Sequence, residues 1–80
     1  MPQIELRLPD FDLGEVRITA CSWHVGLGQR VVEGDRLIEV LAGEVTIDLA
    51  APATGLLVRR CVVIDEPLSV GQLLAVIEAA

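Results

Sequence analysis

The chain has 80 residues, 52% of them apolar, and a formal charge of −6 from twelve acidic and six basic side chains. That length makes one domain, residues 1–80, near the lower limit at which a single core holds without staples, and the acidic balance excludes nucleic acid and an anionic membrane as partners, since both are held by clustered positive charge. No stretch approaches the roughly 20 apolar residues that cross a bilayer as a helix, and the start Met1-Pro2-Gln3-Ile4-Glu5 has neither the basic nor the apolar region of an export signal, so the cytoplasm is the expected compartment.

The elements are β throughout. Ile4, Leu6 and Leu8 alternate with Gln3, Glu5 and Arg7, the period of a half-buried strand, and Pro9 ends the run before a loop over Asp10 to Gly14. The next strand sets Val16, Ile18 and Ala20 on one face and Arg17 and Thr19 on the other. Near Cys21 the phase slips and Trp23 and Val25 take over the apolar side, which predicts a bulge or a strand passing between sheets. After a turn at Glu33-Gly34-Asp35, Leu37–Leu41 and Val45–Leu49 read as two strands joined by Gly43-Glu44, the signature of a tight hairpin with a II′ turn. A break at Ala51 to Gly55 precedes strands over Leu56–Ile64 and Leu73–Glu78. With one Trp, one Phe and no Tyr, the core is aliphatic.

The two halves echo each other. Val31-Val32-Glu33-Gly34-Asp35-Arg36-Leu37 returns as Leu68-Ser69-Val70-Gly71-Gln72-Leu73-Leu74, and Pro9 to Gly14 before one strand parallels Pro52 to Gly55 before another. Short strands, frequent turns and this repeat predict an all-β flattened barrel or sandwich of two roughly four-stranded sheets with quasi-twofold symmetry.

Chemically suggestive residues are few. Cys21 and His24 have a Cys-x-x-His spacing and Cys61 offers a third ligand, but residues three apart on a strand point to opposite faces, so no metal site is expected. Cys21 and Cys61 read as buried free thiols in a chain without an export signal. His24 reads as a surface or rim histidine, Asp10 and Asp12 as a solvated acidic loop, and Arg59-Arg60 as a solvated strand edge. Gly26-Leu27-Gly28 lacks the third glycine and the helix of a dinucleotide fingerprint. No catalytic residue emerges, and the domain is expected to be non-catalytic by itself.

Taken in order, Trp23-His24-Val25, the Gly28 turn, Val31-x-Glu33-Gly34-Asp35-x-Leu37-x-Glu39-Val40, Ala51-Pro52-x-x-Gly55 and Val70-Gly71-Gln72-x-Leu74-Ala75-Val76-Ile77-Glu78 resemble the lipoyl/biotinyl attachment domain family, represented by the lipoyl domains of dihydrolipoamide acyltransferases. The resemblance implies a barrel-sandwich hybrid with a cofactor lysine at the tip of the central hairpin, flanked as Asp-Lys-Ala in lipoyl and Met-Lys-Met in biotinyl domains. This chain has Gly43-Glu44-Val45 there, with Glu44 in the lysine position. It has no lysine at all: its six basic residues are Arg7, Arg17, Arg30, Arg36, Arg59 and Arg60. Arginine stays protonated and is a poor acyl acceptor, and a carboxylate attacking an acyl-adenylate gives a hydrolysable anhydride rather than an amide. Neither lipoate nor biotin is therefore expected to attach. A second departure, Asp65-Glu66-Pro67 where the family often has Gly-Asp and a small residue, concerns the conformation of a loop.

Three functional readings follow from the resemblance. The chain is a recognition or scaffold module whose protein partners are 2-oxo acid dehydrogenase or biotin-dependent carboxylase components; or a free-standing divergent homologue of regulatory or unknown role; or the sandwich module of a membrane-fusion efflux adaptor. The tight Gly43-Glu44 turn speaks against the last, because adaptor modules carry a long helical insertion at that point.

Overall fold

The computed structural model describes all 80 residues as eight antiparallel strands. They are β1 (Gln3–Arg7), β2 (Ile18–Trp23), β3 (Arg30–Val31), β4 (Arg36–Ala42), β5 (Val45–Ala50), β6 (Gly55–Arg60), β7 (Pro67–Leu68) and β8 (Leu73–Ala79). Two four-stranded sheets result, ordered β1-β8-β6-β3 and β5-β4-β2-β7. This is the all-β, two-sheet architecture expected from the alternation.

The long strands β4 and β8 carry the core. Leu37, Ile38 and Val40 from one and Leu74, Ala75 and Ile77 from the other are completely covered, as are Leu57 of β6 and Ala20 of β2. Leu8, just beyond β1, and Val31 of β3 complete the filling. Each buried Leu or Ile contributes roughly 1.5–3 kcal/mol relative to exposure. Phe11 and Trp23 are half-buried and pack against this cluster from its margin, so the interior is aliphatic as the composition requires.

The repeat in the sequence is a repeat in space. A single shift along the chain carries β2 onto β6, β3 onto β7 and β4 onto β8, start to start and end to end. With β1 matched to β5, the first sheet's order becomes the second's. The correspondence extends to irregularities. The β2–β4 register steps at Cys21, between Ala20 opposite Val40 and Ser22 opposite Glu39. The β6–β8 register steps at Val58, between Leu57 opposite Ile77 and Arg59 opposite Val76. Backbone bonds match as well: the His24 N–H donates to the Leu37 carbonyl as Cys61 does to Leu74, both at 2.8 Å. The phase slip in the β2 sequence is thus a bulge, one extra residue that turns the chain and restores the inward face at Trp23.

Several local readings are corrected. Val16 lies before β2 and is exposed, because the loop from Pro9 continues to Arg17. The strand read over Leu56–Ile64 stops at Arg60; Val62 is buried, while Val63 and Ile64 are exposed beside a left-handed Asp65 with φ 71°. Arg59 and Arg60 are exposed, but β6 lies inside its sheet and the Arg60 guanidinium sits 5.4 Å from the centroid of the Trp23 ring. Cys21 and Cys61 are free thiols, half-buried rather than buried. The two-residue strands β3 and β7 leave no signature in the sequence, since two residues show no alternation.

Candidate functional site

The β4–β5 hairpin presents two groups of residues, one at its tip and one on its outward face. At the tip, Ala42 pairs with Val45, leaving Gly43 and Glu44 as the two turn residues. Gly43 has φ 62° and Glu44 does not share a positive φ, the pattern of a II′ turn with glycine first. The turn is anchored sideways: the Gly43 N–H donates to the Arg17 carbonyl at 2.9 Å, and the Val16 side chain lies 3.7 Å from where a Cβ on Gly43 would sit. Glu44 and Val45 project into solvent. The turn residues singled out from the sequence are therefore an exposed, rigidly held loop tip with a carboxylate at its end.

The outward face of the same hairpin carries the main polar cluster. Register places Glu39 of β4 directly opposite Asp48 of β5, with Ser22 of β2 opposite Glu39 on the other side. His24, just beyond β2, sets its Nε2 2.8 Å from one Asp48 carboxylate oxygen, and an Arg36 guanidinium nitrogen stands 3.4 Å from the other. A ligand atom from each of His24, Glu39 and Asp48 lies within 4.8 Å of those of the other two. Hydrogen bonding to His24, and secondarily to Arg36, outweighs the desolvation of Asp48 and holds its carboxyl below the ordinary value. The Cys21 thiol is pushed the opposite way, first by hydrogen bonding to the Glu39 carboxylate, then by desolvation and the charges of Glu39 and Asp65.

His24 is thus more than a rim histidine, since it has a carboxylate partner. The Cys-x-x-His spacing does not describe its neighbourhood. The bulge brings Cys21 beside Glu39, while Cys61 occupies the place in the other sheet that His24 occupies in this one. The signal that would have found Asp48 is the hairpin itself: a two-residue turn at Gly43-Glu44 fixes the pairing of Glu39 with Asp48 by counting back from it.

Elsewhere the polar groups serve the fold. Asp10 accepts a 2.8 Å bond from the Asp12 N–H and so supports a left-handed Asp12 with φ 58°. Trp23 Nε1 donates to the Val62 carbonyl at 3.2 Å, tying the end of β2 to the segment after β6. No helix is long and apolar enough to cross a membrane. The surface has no enclosed pocket.

Residues 4–77 match the family described as biotin-requiring enzyme, the biotin/lipoyl attachment domain. No curated protein gives a significant match.

Proposed function

The chain belongs to the biotin/lipoyl attachment family, and we propose that within it this carrier-type domain works without a covalent cofactor, as a recognition or scaffold module. The observation that carries the reading is chemical. In an attachment domain the new amide forms between the cofactor's carboxyl carbon and a lysine ε-nitrogen at the hairpin tip. Here the tip is Gly43-Glu44-Val45, and no lysine exists anywhere in the chain. The residues present therefore do not fit a covalently held lipoate or biotin, and no group-transfer step runs through this domain.

The rest of the tip supports a role in contact rather than in catalysis. The turn is held by the Gly43–Arg17 bond, which ties its backbone to the segment before β2. Glu44 adds a negative charge at its end in a chain already at −6, which suits a partner with a basic recess. The expected partners are components of 2-oxo acid dehydrogenase or biotin-dependent carboxylase assemblies, which receive domains of this fold. A two-residue turn leaves no inserted helical segment there, which disfavours the membrane-fusion adaptor reading.

The test is Glu44→Lys, alone and combined with Gly43→Asp, incubated with lipoate ligase, lipoate and ATP and read as intact mass. The first position of a II′ turn favours glycine over aspartate, so the single variant, which keeps Gly43, guards against a turn disturbed by the double change. The expected result is a mass gain of one lipoyl group in a lysine-bearing variant and none in the parent. Modification of the parent would overturn the proposal. A folded variant that stays unmodified would show that the tip no longer presents the geometry of an attachment site.

A further inference from the structure

We infer that His24, Glu39 and Asp48, on the outward face of the β2-β4-β5 surface, form a binding site for a divalent transition metal ion of the zinc type. Glu39 and Asp48 face each other across adjacent strands, an arrangement in which like charges repel and destabilise the sheet. A dication between them turns that repulsion into attraction. His24 brings Nε2 to the same point, 2.8 Å from an Asp48 oxygen, and the three donor atoms all lie within 4.8 Å of one another. Ligands at 2.0–2.2 Å from a tetrahedral zinc are separated by about 3.3–3.6 Å. Modest side-chain rotations therefore close the set around one ion.

The donor set also chooses the metal. One imidazole nitrogen with two carboxylates is a borderline set that suits zinc, cobalt or nickel; calcium and magnesium prefer oxygen alone. The His24 and Asp48 side chains are each 31% exposed, so water completes the coordination from the solvent side. Arg36, the competing cation, is 72% exposed and reaches Asp48 only at 3.4 Å, leaving it free to swing away.

The internal symmetry supplies an independent argument. At the corresponding place on the other sheet the chain builds the same bulge and the same strand pairing, with Val76 opposite Glu5 and Cys61 where His24 stands. That half folds with an apolar Val76 in the position of Glu39 and without the histidine–carboxylate contact. The fold therefore does not require the polar triad, which leaves its three donors available to a ligand.

The test is titration of the intact chain, stripped with chelator, with Zn²⁺ against a competing indicator and with Co²⁺ by visible absorption. One equivalent is expected to bind. His24→Ala and Glu39→Gln are each expected to weaken binding at least about tenfold, since even the outer partners of metal ligands are worth 10–100-fold. Arg36→Gln is expected to tighten binding by removing the competitor. His24→Gln serves as the second histidine variant should His24→Ala fail to fold, with circular dichroism as the check. No saturable binding would overturn the inference. So would binding that survives His24→Ala unchanged, or binding lost in a Cys21→Ser/Cys61→Ser chain but retained without His24, which would place the ion on the thiols.

Discussion

Gly55→Ala should be the most damaging single methyl group in this domain. Gly55 is buried at the start of β6, between Val31 of β3 and Ala79 of β8. A Cβ there would stand 2.0 Å from the Glu78 carbonyl oxygen, 2.8 Å from its carbon and 3.0 Å from the Ala79 Cα. All three atoms are backbone, so no side chain can rotate out of the way, and β8 must move by more than 1 Å to restore ordinary contact, an overpacking cost of roughly 1–3 kcal/mol. Displacing this end of β8 also threatens the Ala79 N–H to Pro2 and Ala80 N–H to Thr54 bonds, at 2.9 and 3.0 Å, each worth about 1 kcal/mol. The expected loss is about 3–5 kcal/mol, from a domain whose total is about 4–12 kcal/mol at 80 residues. In a urea series the midpoint falls sharply, and by thermal unfolding Tm drops by at least about 12 °C. Gly14→Ala is the control: φ is 73° but nothing lies within 4 Å of the added methyl, so only the left-handed strain of about 1 kcal/mol is felt. A Gly55→Ala protein within about 0.5 kcal/mol of the parent would refute the close approach of the two backbones.

Leu37→Ala and Leu74→Ala remove side chains that are both fully covered and related by the internal symmetry. Each is expected to cost about 2–5 kcal/mol in urea unfolding, and a large inequality between them would show that the two halves are packed differently. Gly43→Ala places a methyl at an ordinary 3.7 Å from Val16 but forces alanine to φ 62°, for an expected loss of about 1 kcal/mol. Glu44→Ala, at the second turn position without a positive φ, should stay within about 0.5 kcal/mol of the parent by the same measurement, and an equal loss would mean that φ does not select glycine at the turn.

Much of the fold was legible because its signals are periodic. The clean alternation of Val45–Leu49, the Gly43-Glu44 turn and the echo of Val31–Leu37 in Leu68–Leu74 each specify geometry over a few residues, and the structure keeps them. The slip at Cys21 was legible as an irregularity and is a bulge. What escaped was either too short to be periodic, as in β3 and β7, or set by tertiary context. Val62 to Ile64 has the composition of a strand, but the left-handed Asp65 and the hydrogen bond of Trp23 to Val62 take the chain out of the sheet. The tip residues were legible because a turn and a missing lysine are local facts. The partnership of His24 with Asp48 was not, since 24 residues separate them and only the register across the hairpin brings them together.

We propose that this member of the biotin/lipoyl attachment family carries no covalent cofactor. The most direct measurement is the intact mass of the protein purified from its own source, where the cell's lipoate and biotin ligases have had access to it. Residues 1–80 are expected to carry only the mass of their bare polypeptide, about 8.6 kDa, with no lipoyl or biotinyl increment. A population bearing either increment would contradict it.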